Sequence, residues 1–251
     1  MTAAAALASR AIAHRGLHDR SAGVIENTLG AAKAAIAKGF AIECDVQWTA
    51  DGEAVVFHDF TLDRLTAGAG RTADFTAAAL AGVAMKDTDD RIPTLRALLD
   101  LIAGRVPLIV EIKSAFRGDL RLASRTVEIL RDYAGPVGIK SFDPAMTIEA
   151  RRLSAGRIPC GVVAMLEYNY ADYEGISQAE KHALANLLHF RESRPDFISW
   201  KVDDLPCAAP FLCRAALGLP LMSWTVRTPE QRDRAAAHAD QMVFEGFVPE
   251  S

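Results

Sequence analysis

Short runs of apolar and β-branched residues alternate along this chain with longer stretches in which apolar positions recur at helical spacing. The short runs lie at 11–13, 41–47, 108–112, 137–141, 160–164, 197–201, 221–225 and 241–244, which makes eight predicted strands. Helical spacing predicts helices over 28–38, 94–103, 120–132, 145–154, 180–193, 210–217 and 229–238. Gly39, Pro107, Pro136, Pro159 and Pro220 stand beside strands, as short connections require. Alternation of this kind builds a parallel sheet covered by helices. Eight such units predict an α/β chain folded as a (β/α)8 barrel, with an open doubly wound sheet as the rival.

Two stretches depart from the pattern. Only seven residues follow the eighth predicted strand, so its helix is expected to be missing or reduced. The alanine-rich N-terminal segment is expected to cover that gap or the barrel floor. The stretch from about 50 to 91 is too long for a simple loop and helix. Asp51-Gly52 predicts a tight turn joining 46–48 to 54–57, and Gly68-Ala69-Gly70 breaks the chain again. This stretch reads as an insertion over the active face of a single domain covering 1–251.

Composition narrows the function classes. The 251 residues are half hydrophobic and carry a net charge of −4, so there is no basic footprint for nucleic acid. Cys44, Cys160, Cys207 and Cys213 are scattered without a C-x-x-C pair, which points away from a zinc ribbon or a disulfide scaffold. No run approaches the ~20 apolar residues that cross a bilayer, so stable membrane insertion is not expected. The N-terminus lacks the basic start and apolar core of a signal peptide. A reduced, cytoplasmic protein is the expectation.

Reacting groups of such a barrel sit at the C-terminal ends of its strands. Here the first strand ends in His14-Arg15-Gly16, the second runs into Glu43-Cys44-Asp45, and the third into Glu111-Ile112-Lys113. The inserted run 55–57 ends in His58-Asp59. Residues two apart on a strand share a face, so Glu43 pairs with Asp45 and Glu111 with Lys113, while Cys44 turns away. Three carboxylates converging at a barrel mouth repel one another unless a cation neutralises them. Oxygen ligands favour a hard divalent ion, Mg²⁺ or Ca²⁺, over zinc.

These residues and their order resemble the glycerophosphodiester phosphodiesterase family. The resemblance runs through His14-Arg15-Gly16, Glu26-Asn27-Thr28, 42–47, Asp51-Gly52, 55–59, Leu62-Asp63-Arg64 and Ile92-Pro93-Thr94-Leu95. It continues through 111–113, Ser141-Phe142-Asp143 and Ser223-Trp224-Thr225-Val226, and thins along the chain. Leu65 stands where the family more often has threonine, and 239–249 only approximates the family's closing motif. The resemblance implies a TIM barrel with an insertion after the second strand. It implies His14 and His58 as the acid/base pair, and Glu43, Asp45 and Glu111 as ligands of one divalent cation. It further implies Arg15, Lys113, Asn27 and Trp224 as residues that meet the substrate.

The expected reaction is hydrolysis of a small glycerophosphodiester to sn-glycerol 3-phosphate and an alcohol. The nucleophile is either water or the glycerol 2-hydroxyl, which would give a cyclic phosphate. Histidine suits proton transfer because imidazole titrates near neutral pH. The alternatives are a lipid phosphodiesterase of the phospholipase D or sphingomyelinase D kind, and a non-catalytic phosphate-binding barrel. The loop 167–175, rich in tyrosine and polar residues, reads either as a contact for the leaving group or as an ordinary surface loop.

Overall fold

The structure, a computed structural model, describes residues 2–249. Eight parallel strands close on themselves: β1 (Ile12–Ala13), β2 (Ala41–Trp48), β4 (Leu108–Ile112), β5 (Val137–Ser141), β6 (Cys160–Ala164), β7 (Phe197–Lys201), β8 (Leu221–Val226) and β9 (Gln241–Phe244). β1 pairs with both β2 and β9, which completes the ring. The remaining strand, β3 (Ala54–Val56), pairs antiparallel with β2 through Val46 and Val56, as the Asp51-Gly52 turn predicts. The chain is therefore a (β/α)8 barrel.

Helices cover the outside: α2 (Leu29–Lys38), α4 (Leu95–Ile102), α5 (Arg121–Leu130), α6 (Pro144–Ser154), α9 (Ala208–Ala215) and α10 (Pro229–His238). Side-chain caps fix where several begin. Thr28, Thr94 and Thr228 each accept a hydrogen bond from a first-turn N–H, and Asp143 does the same for α6. Strand alternation then sorts the core. Ile42, Cys44 and Val46 turn outward against the helices, beside Leu108, Val110 and Ile112. Ala41 turns inward and meets Ile12, Ile109, Phe197, Met222 and Val243 at the barrel floor.

The N-terminal segment forms α1 (Ala3–Leu7), and Leu7 packs into that floor at 1% exposure. Phe197 fills the same space because β6 carries glycine next to it. A Cβ on Gly161 would lie 2.3 Å from the Phe197 ring. The barrel is thus stoppered at its N-terminal end.

The predicted helix over 180–193 is two helices, α7 (Gln178–Ala185) and α8 (Phe190–Ser193). Asn186 ends the first, because its side-chain amide donates to the His182 carbonyl at 2.9 Å. Leu187 then takes a positive φ of 51° and turns the chain. The insertion carries a short helix, α3 (Ala77–Gly82), and packs Val55, Phe57, Leu62, Leu65 and Leu80 against Ile25 in a separate apolar cluster. Among the described residues no helix is long and apolar enough to cross a membrane.

Candidate active site

Register puts the polar side chains of neighbouring strands in one layer. Asp45 on β2 pairs with Glu111 on β4, and Glu111 pairs with Lys140 on β5. Neighbours in register project to the same face, so all three enter the barrel, with Glu43 one step nearer the floor. Ligand-type oxygens of Glu43, Asp45 and Glu111 lie within 4.8 Å of one another, and all three residues are buried. Cys44 faces the helices, where burial pushes its thiol pKa up.

Cations and donors surround this cluster. Lys113 Nζ lies 2.8 Å from Asp45 Oδ1 and 2.5 Å from Glu111 Oε1. Lys140 Nζ lies 3.0 Å from Glu43 Oε1 and 3.1 Å from Glu111 Oε2. The Arg15 backbone N–H donates to Glu43 Oε2 at 3.1 Å, and Arg15 Nε stands 3.3 Å from Asp45 Oδ2. Burial alone would raise the Asp45 carboxyl, but the charges of Lys113, His58 and Arg15 hold it well below the usual range. Burial opposes ionisation of Glu111 too, and Lys113 and Lys140 outweigh it to hold the carboxyl at about 2. Lys113 is raised in return, Asp45 and Glu111 overcoming its own desolvation.

The sequence segment Glu26-Asn27-Thr28 resolves into three jobs. Asn27 sits at φ +59°, its Nδ2 donating to Asp45 Oδ2 at 2.9 Å and its Oδ1 accepting from the Asp45 N–H at 3.1 Å. Its amide is therefore engaged behind Asp45 and does not line the cavity, which differs from a residue expected to meet substrate. Glu26 accepts from Arg15 Nη1 at 2.6 Å and from both Arg64 Nη atoms at 2.8 and 3.0 Å. Thr28 caps α2. Gly16 lets the turn after Arg15 approach that helix, since at φ +81° a Cβ would stand 2.8 Å from Ala31 Cβ.

Each histidine is held through Nδ1 by a carboxylate. His58 Nδ1 lies 2.7 Å from Asp59 Oδ1, and Asp59 is held in turn by Arg64. Gln47 Nε2 donates to the His58 carbonyl at 2.8 Å, which ties the hairpin end to β2. His14 Nδ1 lies 2.6 Å from Glu245 Oε2, and Arg227 binds the same carboxylate. An ionised carboxylate only accepts, so Nδ1 donates and Nε2 is left for proton exchange. Burial opposes ionisation of Glu245 and Asp59, yet their histidine and arginine partners hold both far below the usual range. His18 is half-buried nearby, its Nε2 4.0 Å from Glu245, and desolvation lowers its pKa.

These side chains open into a cavity of about 420 Å³ at the C-terminal end of the barrel. His14, Arg15, Asp45, His58, Glu111 and Lys113 line its polar end. The outer wall is aromatic. Tyr173 pairs with Tyr168 at 5.0 Å and with Phe142 at 5.5 Å, and Phe142 stacks edge-on against Trp224 at 5.3 Å. Trp224 Nε1 donates to the Ser199 carbonyl, fixing the ring. The loop 167–175 supplies the two buried tyrosines and the exposed Tyr170, whose hydroxyl accepts from Lys201 Nζ at 3.1 Å. A larger hollow of about 610 Å³ between Pro206, Phe211 and Leu219 lies outside the barrel and holds none of the site residues.

Lys140 and Glu245 are the site residues that motif reasoning passes over. Lys140 was readable as a charged residue near the end of a strand run, by the rule that placed Glu111. Glu245 follows the last strand in the segment where the family resemblance is loosest.

A (β/α)8 barrel with a buried carboxylate triad, two carboxylate-held histidines and cationic neighbours at its mouth defines the class. The profile of the Glycerophosphoryl diester phosphodiesterase family matches residues 14–245, and the chain belongs to that family. It is 39% identical over 130 residues to a glycerophosphodiester phosphodiesterase of Caldanaerobacter subterraneus subsp. tengcongensis, a match covering 49% of this chain and 52% of that protein. It is 33% identical over 154 residues to human glycerophosphodiester phosphodiesterase 1, covering 57% of this chain and 45% of the relative. The matched region thus spans about half the length of these relatives. A phosphodiesterase of Oleispira antarctica, solved with the product sn-glycerol-3-phosphate, superposes at TM-score 0.78 over 96% of this chain and 94% of its own, at 21% identity. A glycerophosphodiester phosphodiesterase of Thermotoga maritima superposes at TM-score 0.70 over 93% of each chain, at 24% identity.

Proposed function

We propose that this chain, acting as one domain, hydrolyses soluble glycerophosphodiesters to sn-glycerol 3-phosphate and an alcohol. The observation that carries the reading is the pair of imidazoles held through Nδ1 by Glu245 and Asp59, both lining one cavity with Asp45 and Glu111 of the carboxylate cluster. Family membership and the names of the curated relatives support it.

The donor set suits a hard divalent cation: three carboxylates converge, and Glu43 Oε1 is buried without a directed hydrogen bond, its Lys140 contact being an ion pair only. Glu43, Asp45 and Glu111 would hold it, and Mg²⁺ and Ca²⁺ both fit an all-oxygen set. When bound, such an ion supplies positive charge against the phosphoryl oxygens.

The chain's own residues do the rest. Arg15 and Lys113 bind the anionic oxygens of the diester, whose charge grows in the transition state. One imidazole Nε2 removes a proton from the nucleophile, either water, or the glycerol 2-hydroxyl, in which case a cyclic phosphate forms as the alcohol leaves and water then opens it to sn-glycerol 3-phosphate. The other gives its proton to the oxygen of the departing alcohol, which is a poor leaving group without it. Asp59 and Glu245 stabilise each imidazolium as it forms. Trp224 and the tyrosines wall the space where the alcohol lies. A reduced, cytoplasmic setting accords with four free cysteines.

The test is a panel of glycerophosphocholine, glycerophosphoethanolamine, lysolipid and sphingomyelin, with and without added Mg²⁺ or Ca²⁺. Release of sn-glycerol 3-phosphate from the first two is the expected result. Turnover confined to the lipids would make this a lipid phosphodiesterase, and turnover of none would leave a phosphate-binding barrel.

A further inference from the structure

Lys140 has no part in the steps above, yet it sits at the centre of the charge arrangement. It is 2% exposed, on the inner face of β5, with Nζ bridging Glu43 Oε1 and Glu111 Oε2 at 3.0 and 3.1 Å. Its bridge completes a pattern. Both oxygens of Glu43, of Asp45 and of Glu111 lie within 3.1 Å of a nitrogen supplied by Lys140, Lys113, Asn27 or the Arg15 backbone. Three carboxylate charges are met by Lys113, Lys140 and Arg15.

We propose that Lys140 is a built-in counter-ion that competes with the divalent cation for the carboxylates and sets how tightly this enzyme holds it. The inference rests on Glu43, Asp45 and Glu111 being the cation site. A divalent ion seated on those oxygens must displace the ammonium from Glu43 Oε1 and Glu111 Oε2, or sit within a few ångströms of its like charge. In a buried site such repulsion is poorly screened. Lys140 is a positioning residue in the same stroke, because without an ion it keeps two mutually repelling carboxylates together.

The experiment is calorimetric titration of the full chain with MgCl₂ and with CaCl₂, beside thermal unfolding in chelator and in excess cation. Lys140→Gln and Lys140→Met remove the charge, and Lys140→Arg keeps it. The neutral variants are expected to bind at least one of the ions at least tenfold more tightly than wild type. They should lose thermal stability in chelator and regain it on adding cation. Lys140→Arg should stay within about threefold of wild type in affinity. Unchanged or weaker binding by both neutral variants overturns the proposal, as does equal weakening by all three, which would make Lys140 a packing element. If one neutral variant does not fold with or without cation, the other decides. Glu43→Gln and Asp45→Asn separate the two levels: if they bind cation as wild type does, the site reading itself fails. If they lose binding while Lys140→Gln equals wild type, only the counter-ion proposal fails.

Discussion

Glu245 and His14 are joined across 231 positions of sequence by a 2.6 Å contact between Oε2 and Nδ1. The last strand of the barrel closes beside the first, which brings the two residues together. Substituting Glu245→Gln keeps the shape but removes the charge that would stabilise an imidazolium at His14. The kcat should fall on the order of 10- to 100-fold with KM little changed, and Glu245→Asp should recover part of it. A parallel rise in KM with unchanged kcat would assign Glu245 to substrate binding instead.

His14→Ala and His58→Ala should each lower turnover of glycerophosphocholine by on the order of 10²–10⁴. Both variants should keep the wild-type circular dichroism spectrum, because neither side chain belongs to an apolar cluster. Retention of more than about a tenth of the wild-type rate in both would remove them from proton transfer.

Chelation should abolish turnover, and Mg²⁺ or Ca²⁺ should restore it. The protein should nevertheless stay folded without the ion, since Lys113 and Lys140 already pair with the carboxylates. Full activity in protein shown by elemental analysis to be metal-free would sink the cation requirement.

Glu26 links stability to pH. Burial opposes its ionisation, but hydrogen bonds and charge from Arg64 and Arg15 hold the carboxyl at about 2, below the ordinary value near 4.3. A carboxyl depressed on folding stabilises the native state above its unfolded pKa, and that contribution is lost as pH falls through the folded value. Glu26→Gln should therefore cost on the order of 2 kcal/mol at pH 7, Arg64 being partly screened by solvent. The gap to wild type should narrow between about pH 5 and pH 2 in urea unfolding. A gap constant with pH would mean that Glu26 acts by packing alone.

Much of this was legible in the chain because barrels separate their chemistry from their packing. The strand runs are mostly apolar, so His14, Glu43, Asp45, Glu111 and His58 stood out as interruptions; His14 and His58 follow their strands, while Glu43, Asp45 and Glu111 lie within theirs on the inward face. What escaped depends on distance in sequence. The role of Asn27 follows from a left-handed backbone and the approach of β2, which no local pattern encodes. Lys140 stands near the end of its strand run as Glu111 does, but outside the motifs of the family resemblance, and its register with Glu111 gives it its place. The break after Ala185 turns on one asparagine amide outcompeting the next helical turn. The tyrosines of 168 and 173 read as a polar loop, and become an aromatic wall only once Phe142 and Trp224 stand beside them.

The stopper formed by Leu7 and Phe197 beneath the barrel has a kinetic corollary. With the floor closed, the cavity among the described residues is reached from the C-terminal side of the barrel, where its aromatic wall lies. On the proposed reaction, an alcohol seated at the aromatic wall would leave first, and glycerol 3-phosphate held at the polar end would follow. Such a queue would give the two products different inhibition patterns: the last to leave would compete with incoming diester, while the first would not.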